Sequence, residues 1–378
     1  MNFSIDRNIL LENLNLIARG LPVKTAMPVL NGIKMELTNE DLFLTSSNTD
    51  LSVQVVINHE SLEIKETGKI VVPGNYFIQI IKKINSRKID ISLIEDKIIV
   101  IKAERSEFKL NLLSVYDYPN IDFVCLDKPL KLSAKNLRSI IRETAYATSI
   151  NEKRPILTGV SLKFTNKKLL AIATDSFRLS QKVMELDDVD FEDFNIVVPY
   201  KSLDELSKAL EIYNDDVEIY FNKIKIVFKF KNILFQSRLL DGAYPDTSRL
   251  IPSEFPVKVR FNKDELLAAI DRVSLLSNKD KENQYNVVRF NVREDHVVEI
   301  SSSSTEIGNA IEEIIPTEPI EGPALKIAFS AKYITDALKS FVSPEVLLCF
   351  TGEVRPFIVK GDLDYNLTAL ILPVRVDW

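Results

Sequence analysis

Three acidic residues that directly follow a threonine are the first candidates for chemistry. Asp50, Asp175 and Glu306 each end a strand-like run. Carboxylates that converge on two divalent ions could support a nuclease or a polymerase, provided that the ions lie roughly 4 Å apart. More than a hundred residues separate each acid from the next, so that one acid falls in each third of the chain. A turn in which these side chains accept hydrogen bonds from nearby backbone N–H groups is the simpler prediction.

The other residues that carry chemistry are too few for the common catalytic sites. The two histidines, His59 and His296, lie in polar contexts that are typical of surface turns, so a Ser-His-Asp triad is disfavoured. The two cysteines, Cys125 and Cys349, lie in apolar contexts that predict buried free thiols rather than a disulfide. A zinc site rich in Cys and His is excluded, and neither standard glycine motif for nucleotide phosphates occurs. We expect no catalytic residue, no metal and no cofactor.

One unit is written three times along the 378 residues. The segment PVLNGIKMELTNEDLFLTSSNTDLS from Pro28 matches PILTGVSLKFTNKKLLAIATDSFRLS from Pro155, and a degenerate third copy contains Thr305. The first two copies are offset by 127 residues at their prolines and by 125 at Thr49 and Thr174. Such self-similarity predicts three equivalent domains. We place them at residues 1–126, 127–254 and 255–378.

Each repeat has the same predicted order of elements: a strand, a helix, several strands, a second helix and several strands. Alternating apolar and polar residues with turn residues between them indicate antiparallel hairpins. Two helices that cover one face of such a sheet give an α+β domain. The apolar spacing predicts helices at about 6–19, 75–85, 134–147, 201–210, 262–276 and 331–341.

A cation recurs at one position of the second helix in every repeat. Lys82, Lys208 and Lys339 occupy this position, away from the apolar stripe of each helix. A single lysine there is ordinarily a solvated side chain, whereas a row of equivalent cations can follow a phosphate backbone without reading bases. The net charge of −6 permits this if the cations are concentrated on one surface. The candidates for contact with duplex DNA are Lys24, Lys82, Arg138, Arg142, Arg154, Lys201, Lys208 and Lys339.

Five short motifs are specific in combination. They are KTAMPVLNGI, KRPILTGV, ATDSFRLS, GAYPDTSRLIP and the LPVR near the end of the sequence. With them the whole chain resembles the bacterial DNA sliding clamps, the beta subunits of DNA polymerase III. The sequence has no apolar run long enough for a membrane span, and its start lacks the form of a signal peptide, so we expect a cytoplasmic protein that does not bind membranes. The resemblance implies a non-catalytic processivity factor. Two subunits would close into a ring of six domains around duplex DNA, which is held without sequence-specific contacts, and would tether the replicative polymerase.

The resemblance also implies protein partners and the residues that meet them. The polymerase alpha subunit, the clamp loader and other proteins would bind through short peptides in a pocket between the second and third repeats. The residues at matching pocket positions are Leu157, Thr174, Ser176, Phe177, Arg178, Leu179, Pro245, Arg249, Leu250, Leu370, Leu372, Pro373, Val374 and Arg375. Across the contact between subunits, Phe108 and Leu110 would meet Leu275 and Leu276. That contact would hide the strand edges that the repeats leave at the two ends of the chain.

Two departures from the family pattern affect the pocket. The family commonly has T-D-G-H-R-L where this chain has T-D-S-F-R-L, and it often ends near M-P-M-R where this chain has L-P-V-R followed by Val376, Asp377 and Trp378. Phe177 lies in a turn, where its own domain is poorly placed to bury it, so we expect an apolar groove rimmed by arginines. The sequence does not determine which peptide this pocket prefers.

Two other functions remain as alternatives. A metal-dependent nuclease would require the three acids to converge on one site. A structural scaffold that does not bind DNA would leave the repeated lysines without a common surface.

Overall fold

The computed structural model describes residues 1–124, 128–186, 191–277 and 286–376. Cys125, Asp377 and Trp378 therefore lie outside the described residues, and the free thiol at Cys125 stays a prediction. Cys349 is buried and free, as expected. Within the described ranges, no helix combines the length and the apolar character needed to cross a membrane.

The six predicted helices are confirmed in the described parts of the chain. The apolar stripe of the third helix is buried at Leu137, Ile140 and Ile141, as its spacing predicts, and it continues to buried Ala145 in the short helical turn that follows. Polar side chains begin several helices by accepting hydrogen bonds from free backbone N–H groups, as Asp6, Asn262 and Ser330 do. The helices are α1 (Arg7–Ile17), α2 (Gly74–Lys83), α3 (Ala134–Thr144), α4 (Tyr200–Ala209), α5 (Lys263–Ser274) and α6 (Ala331–Ser340).

The described strands form four antiparallel sheets, which agrees with the predicted α+β class. Two of the sheets lie in the compact unit formed by Met1–Asn136 and Lys201–Leu239. The first has the order β5 (Glu63–Glu66), β1 (Asn2–Asp6), β7 (Lys88–Ile94), β8 (Ile98–Ala103), β9 (Ser106–Asn111). The second has the order β10 (Leu130–Ser133), β15 (Asp216–Phe221), β16 (Lys225–Phe230), β17 (Ile233–Arg238), β4 (Leu51–Ile57), β3 (Leu42–Ser47), β2 (Gly32–Leu37), β6 (Gly68–Pro73).

The other two sheets lie in the compact unit formed by Leu137–Tyr200 and Leu240–Trp378. The third has the order β14 (Phe194–Pro199), β11 (Gly159–Thr165), β12 (Lys168–Thr174), β13 (Arg178–Glu185), β25 (Leu367–Ile371), β24 (Phe357–Gly361), β23 (Glu345–Phe350), β18 (Val257–Asn262). The fourth has the order β21 (Gly308–Ile314), β20 (Val298–Ser304), β19 (Val287–Val292), β22 (Leu325–Ser330). The central repeat thus contributes strands to a sheet in each unit.

Equivalent turns in the three repeats correct the alignment made from sequence. Ser47, Thr174 and Ser304 end β3, β12 and β20, and each hydroxyl accepts a hydrogen bond from the N–H two residues later, at 3.2, 3.2 and 3.3 Å. The equivalent of Thr174 is therefore Ser47, at the same offset of 127 residues as the prolines. The predicted pairing of Thr49 with Thr174 is wrong by two residues. The recurring Thr-Asp pair caused the error.

The same turns settle what the acids do. The Oδ1 atom of Asp175 accepts hydrogen bonds from two backbone N–H groups, as predicted. In the N-terminal repeat, the residue that accepts these bonds is Asn48 and not Asp50. Asn48 Oδ1 accepts from the N–H groups of Asp50 and Leu51 at 3.2 and 2.9 Å. The side chain of Asp50 was therefore wrongly predicted to satisfy the backbone of its turn.

Candidate functional site

The turn from Thr174 to Arg178 connects β12 to β13 and is held by its own polar groups. Thr174 Oγ1 donates to the carbonyl of Arg178 at 2.6 Å, and Asp175 Oδ1 accepts from the N–H groups of Phe177 and Arg178 at 2.9 and 3.0 Å. Ser176 has a φ of +80°, which these local bonds offset. The turn leaves the Phe177 ring 44% exposed, as the sequence predicted for an aromatic residue in this place.

The segment that follows the last strand lies against this turn. β25 pairs with β13, and the Leu372 N–H continues the pairing by donating to the Phe177 carbonyl at 2.9 Å. Two residues later, the Val374 N–H donates to the Ala328 carbonyl at 2.7 Å. Ala328 lies on β22, which is an edge strand of the fourth sheet. The side chain of Leu372 is 37% exposed. Two apolar side chains from distant parts of the sequence are thus exposed on adjacent backbone.

A buried apolar layer lies in the sheet below these two residues. Leu179 and Leu370 face each other across β13 and β25 and pack with Ile172, Cys349 and Ile358. The partly buried members of the cluster are Leu170, Tyr244, Ile251, Phe255 and Leu347. A close-packed layer of this kind is a rigid support for the exposed side chains of Phe177 and Leu372.

Tyr244, which packs against this apolar cluster, also fixes the turn and was not predicted from the sequence. Its hydroxyl accepts a hydrogen bond from the Thr174 N–H at 3.0 Å. Burial raises the pKa of the Tyr244 hydroxyl, so the group stays protonated. Burial also raises the pKa of the Asp175 carboxyl. The hydrogen bonds from Phe177 and Arg178 favour its ionised form and lower the pKa, but the effect of burial is larger. The signal for Tyr244 was present, because it precedes the predicted pocket residue Pro245.

The predicted pocket residues fall into two groups by exposure. The exposed or half-buried ones could meet a ligand, whereas the buried ones could only support it. The first group is Ser176, Phe177, Pro245, Arg249, Leu250, Leu372, Pro373, Val374 and Arg375. The second group is Leu157, Thr174, Arg178, Leu179 and Leu370.

Arg178 corrects one expectation, because it is not a cation on the rim of the groove. Its side chain is only 8% exposed and forms ion pairs with Asp175 at 3.0 Å and with Asp336 of α6 at 2.7 Å. The guanidinium carbon also lies 4.6 Å from the ring centre of Tyr333 and 5.5 Å from that of Tyr146. Two carboxylates and two aromatic rings therefore keep this charge inside the protein.

The repeated lysines occupy the positions that the sequence predicted. Lys82, Lys208 and Lys339 are each the ninth residue of their helix, and all three are exposed. The charge of Lys208 is already compensated, because hydrogen bonds to Asp204 and Glu205, both at 2.8 Å, raise its pKa. Among the described residues, Lys82 and Lys339 have no ion pair. The charges of Lys82 and Lys339 are therefore less neutralised by neighbouring carboxylates than the charge of Lys208.

The remaining candidates for DNA contact lie at the surface to different degrees. Arg142 is exposed and pairs with Glu143 at 2.7 Å, and Arg138 is half-buried on the same helix. Lys24, Arg154 and Lys201 are exposed.

The residues predicted for a contact between subunits lie on one edge strand, β9, and directly after α5. β9, which carries the half-buried Phe108 and Leu110, ends its sheet. β21 ends the fourth sheet and carries Ile311, which is exposed and was not predicted from the sequence. Leu275 follows α5 and is 74% exposed, whereas Leu276 is half-buried. Unpaired edges with apolar neighbours are surfaces on which further strands can add.

The acids do not assemble into a metal site in the described ranges. Asp175 and Glu306 follow strands of different sheets, β12 and β20, and Asp50 lies in the other compact unit. Among residues 1–124, 128–186, 191–277 and 286–376, no group of three His, Cys, Asp or Glu side chains is placed to hold a metal ion.

Comparisons with known proteins identify the class to which this fold belongs. Residues 1–122, 131–246 and 248–375 match the N-terminal, central and C-terminal domain families of the DNA polymerase III beta subunit. The chain is 38% identical to the beta sliding clamp of Staphylococcus aureus over 99% of each chain.

Solved structures agree with the sequence matches. The DNA polymerase sliding clamp from Bacillus subtilis is 37% identical, with a TM-score of 0.93 and full coverage of both chains. The DNA polymerase III beta chain from Streptococcus pneumoniae is 36% identical, with a TM-score of 0.95 over 99% of this chain and all of that one. The chain therefore belongs to the DNA polymerase III beta subunit family. Its function is that of a non-catalytic processivity clamp for DNA polymerase.

Proposed function

We propose that two copies of this chain close into a ring around duplex DNA in the cytoplasm and bind partner proteins through one peptide pocket per subunit. The observation that carries the pocket is the pair of exposed apolar side chains, Phe177 and Leu372, held side by side above a rigid buried layer. An exposed groove of this kind suits a short extended peptide with hydrophobic anchors. Its partners would include the polymerase alpha subunit and the clamp loader.

The pocket has a counterpart between the N-terminal and central repeats, and the residues of this counterpart support a single peptide site per subunit. There the Arg238 N–H donates to the Asp50 carbonyl, as the Leu372 N–H donates to the Phe177 carbonyl. Asp50 and Arg238 thus occupy the positions of Phe177 and Leu372. Because both are charged and exposed, this counterpart offers no apolar anchor site.

The subunit contact is proposed to join β9 of one copy to β21 of the other. Both strands end their sheets, so their outer N–H and C=O groups are available for pairing. Phe108 and Leu110 would then pack against Leu275 and Leu276 of the second copy. This contact is heterologous, so it closes into a ring when two copies complete a turn. We further propose repeat limits at 1–126, 127–254 and 255–378, because no helix or strand in the described ranges spans either limit.

The candidate cations, led by Lys82, Lys208 and Lys339, are proposed to face the DNA. Each cation near a phosphate releases condensed counterions, so binding is weak, independent of base sequence and steeply dependent on salt. The remaining members of the set are Lys24, Arg138, Arg142, Arg154 and Lys201.

Reversing Lys82, Lys208 and Lys339 to Glu should reduce processive synthesis and flatten the salt dependence of DNA binding. The slope of log K against log salt should become shallower by about 0.9 for each phosphate that is no longer neutralised. The melting temperature should change little, because exposed charges contribute little to stability. Lys82→Glu with Lys339→Glu should account for most of the effect, because Lys208 is already paired with two acids.

The matched control reverses three exposed lysines on strands, Lys168, Lys229 and Lys360. The change in net charge is the same, so a general effect of charge would appear in both triple variants. Primer extension on circular DNA and DNA binding at several salt concentrations are the measurements. If processivity is unchanged when Lys82, Lys208 and Lys339 are reversed, these lysines are ordinary solvated side chains that do not contact DNA.

A further inference from the structure

The turn that carries Phe177 is tied to a distant helix through one buried side chain. Arg178 is the last residue of the turn and the first of β13. Its Nε donates to Asp175 Oδ2 within the turn at 3.0 Å, and its NH1 donates to Asp336 Oδ2 on α6 at 2.7 Å. A planar guanidinium can bridge two carboxylates in one fixed geometry. The position of the turn therefore depends on α6.

We infer that Asp336, which lies outside the predicted pocket, is a positioning residue for the peptide pocket and acts through Arg178. The inference rests on the proposed function of the pocket. Asp175 accepts from the backbone N–H groups of Phe177 and Arg178 with Oδ1 and from the Arg178 side chain with Oδ2. An error in the placement of the guanidinium is thus transmitted to the backbone that orients the Phe177 ring.

Burial makes this link stronger than a surface ion pair. The side chains of Arg178, Asp175 and Asp336 are 8%, 12% and 25% exposed. Lys332 also donates to Asp336 Oδ2, at 3.0 Å, but its side chain is 64% exposed. Solvent screens that exposed partner, so Lys332 cannot replace Arg178 as the group that fixes the carboxylate.

The N-terminal compact unit provides a matched control. Glu205 is the sixth residue of α4, as Asp336 is the sixth of α6. Glu205 also pairs with an arginine, Arg19, at 3.0 Å. Arg19 lies in the short helical turn after α1 rather than in the turn between strands. The same kind of carboxylate is thus present at an equivalent position without a link to the pocket turn.

The test is a titration of a fluorescent Gln- and Leu-containing clamp-binding peptide against the full-length protein and four variants. Asp336→Asn should weaken binding on the order of tenfold, with a melting temperature within a few degrees of wild type. Amide hydrogen exchange should accelerate at residues 174–178. Asp336→Glu should recover most of the affinity because it keeps the carboxylate. Glu205→Gln should bind as wild type does.

Phe177→Ala, the fourth variant, separates a failure of this inference from a failure of the pocket. If Phe177→Ala weakens binding while Asp336→Asn binds as wild type, the positioning role is overturned and the pocket stands. If Phe177→Ala also binds as wild type, both ideas fall. Reduced affinity in Asp336→Asn with a large fall in melting temperature and no recovery in Asp336→Glu would make Asp336 a purely structural residue and overturn the inference.

Discussion

Replacing Phe177 with alanine should weaken the binding of a clamp-binding peptide by about 2 kcal/mol, which is roughly 30-fold. The ring is 44% exposed on a turn whose backbone is fixed by Thr174 and Asp175. The alanine variant therefore loses apolar area that a peptide could cover. Its fold should be unaffected, because the ring does not support the turn. Leu372→Ala should have a similar effect, because its side chain is exposed beside the same turn. A titration monitored by fluorescence anisotropy measures both.

Deleting Leu372 to Trp378 should also weaken peptide binding, but it is the less specific variant. The deletion removes the hydrogen bonds from the Leu372 and Val374 N–H groups as well as the apolar side chains. The dimer should persist in the deletion variant, because the proposed subunit contact lies elsewhere.

The N-terminal counterpart supplies the control for these variants. Asp50→Ala and Arg238→Ala change the positions equivalent to Phe177 and Leu372 and should leave the affinity for the peptide unchanged. Equal affinity in wild type, Phe177→Ala and Leu372→Ala would place the pocket elsewhere.

The affinity should also vary little with pH near neutrality. Phe177 stands where the family commonly has a histidine, and a phenyl ring cannot titrate between about pH 6 and 8. Burial raises the pKa of Asp175 above that of an ordinary aspartate, so protonation of its carboxylate begins at a higher pH than usual. Affinity should fall only as the solution becomes acidic. A fall centred near pH 6.5, the ordinary pKa of a histidine, would contradict the assignment.

The elements of the fold could be predicted because they depend on local patterns. The stripe at Leu137, Ile140 and Ile141 lies within a few residues of sequence, so its spacing alone was enough to predict the helix. The repeat added a second, independent test of every helix.

The contacts that shape the pocket could not be predicted in this way. Arg178 looks like an exposed cation in the sequence, since its partner Asp336 is 158 residues away and only the fold brings them together. The pairing of β13 with β25, which sets Leu372 beside Phe177, joins residues that lie even farther apart in the sequence. The register error at Thr49 had another cause, because identical residue types recurred at positions that are not equivalent.

Charging Leu275 and Leu276 together should convert the proposed dimer into monomers. Leu275 is 74% exposed directly after α5, so an aspartate there costs the isolated subunit little. In a closed ring, both aspartates would be buried against Phe108 and Leu110 of the other copy, and burying an unpaired charge costs several kcal/mol. The penalty applies at both contacts of the ring. Sedimentation at micromolar concentration should show the monomer mass.

A single substitution at the strand edge tests the same contact independently. Ile311→Asp places a charge on β21, where Ile311 is 61% exposed, and should weaken the dimer by the same mechanism. Leu250→Asp is the control, because Leu250 is exposed to a similar degree but belongs to the proposed peptide pocket. It should sediment as wild type and bind the peptide more weakly instead. If the Leu275 and Leu276 double variant still sediments as a dimer, the subunits meet through other surfaces, and β9 and β21 are free edges.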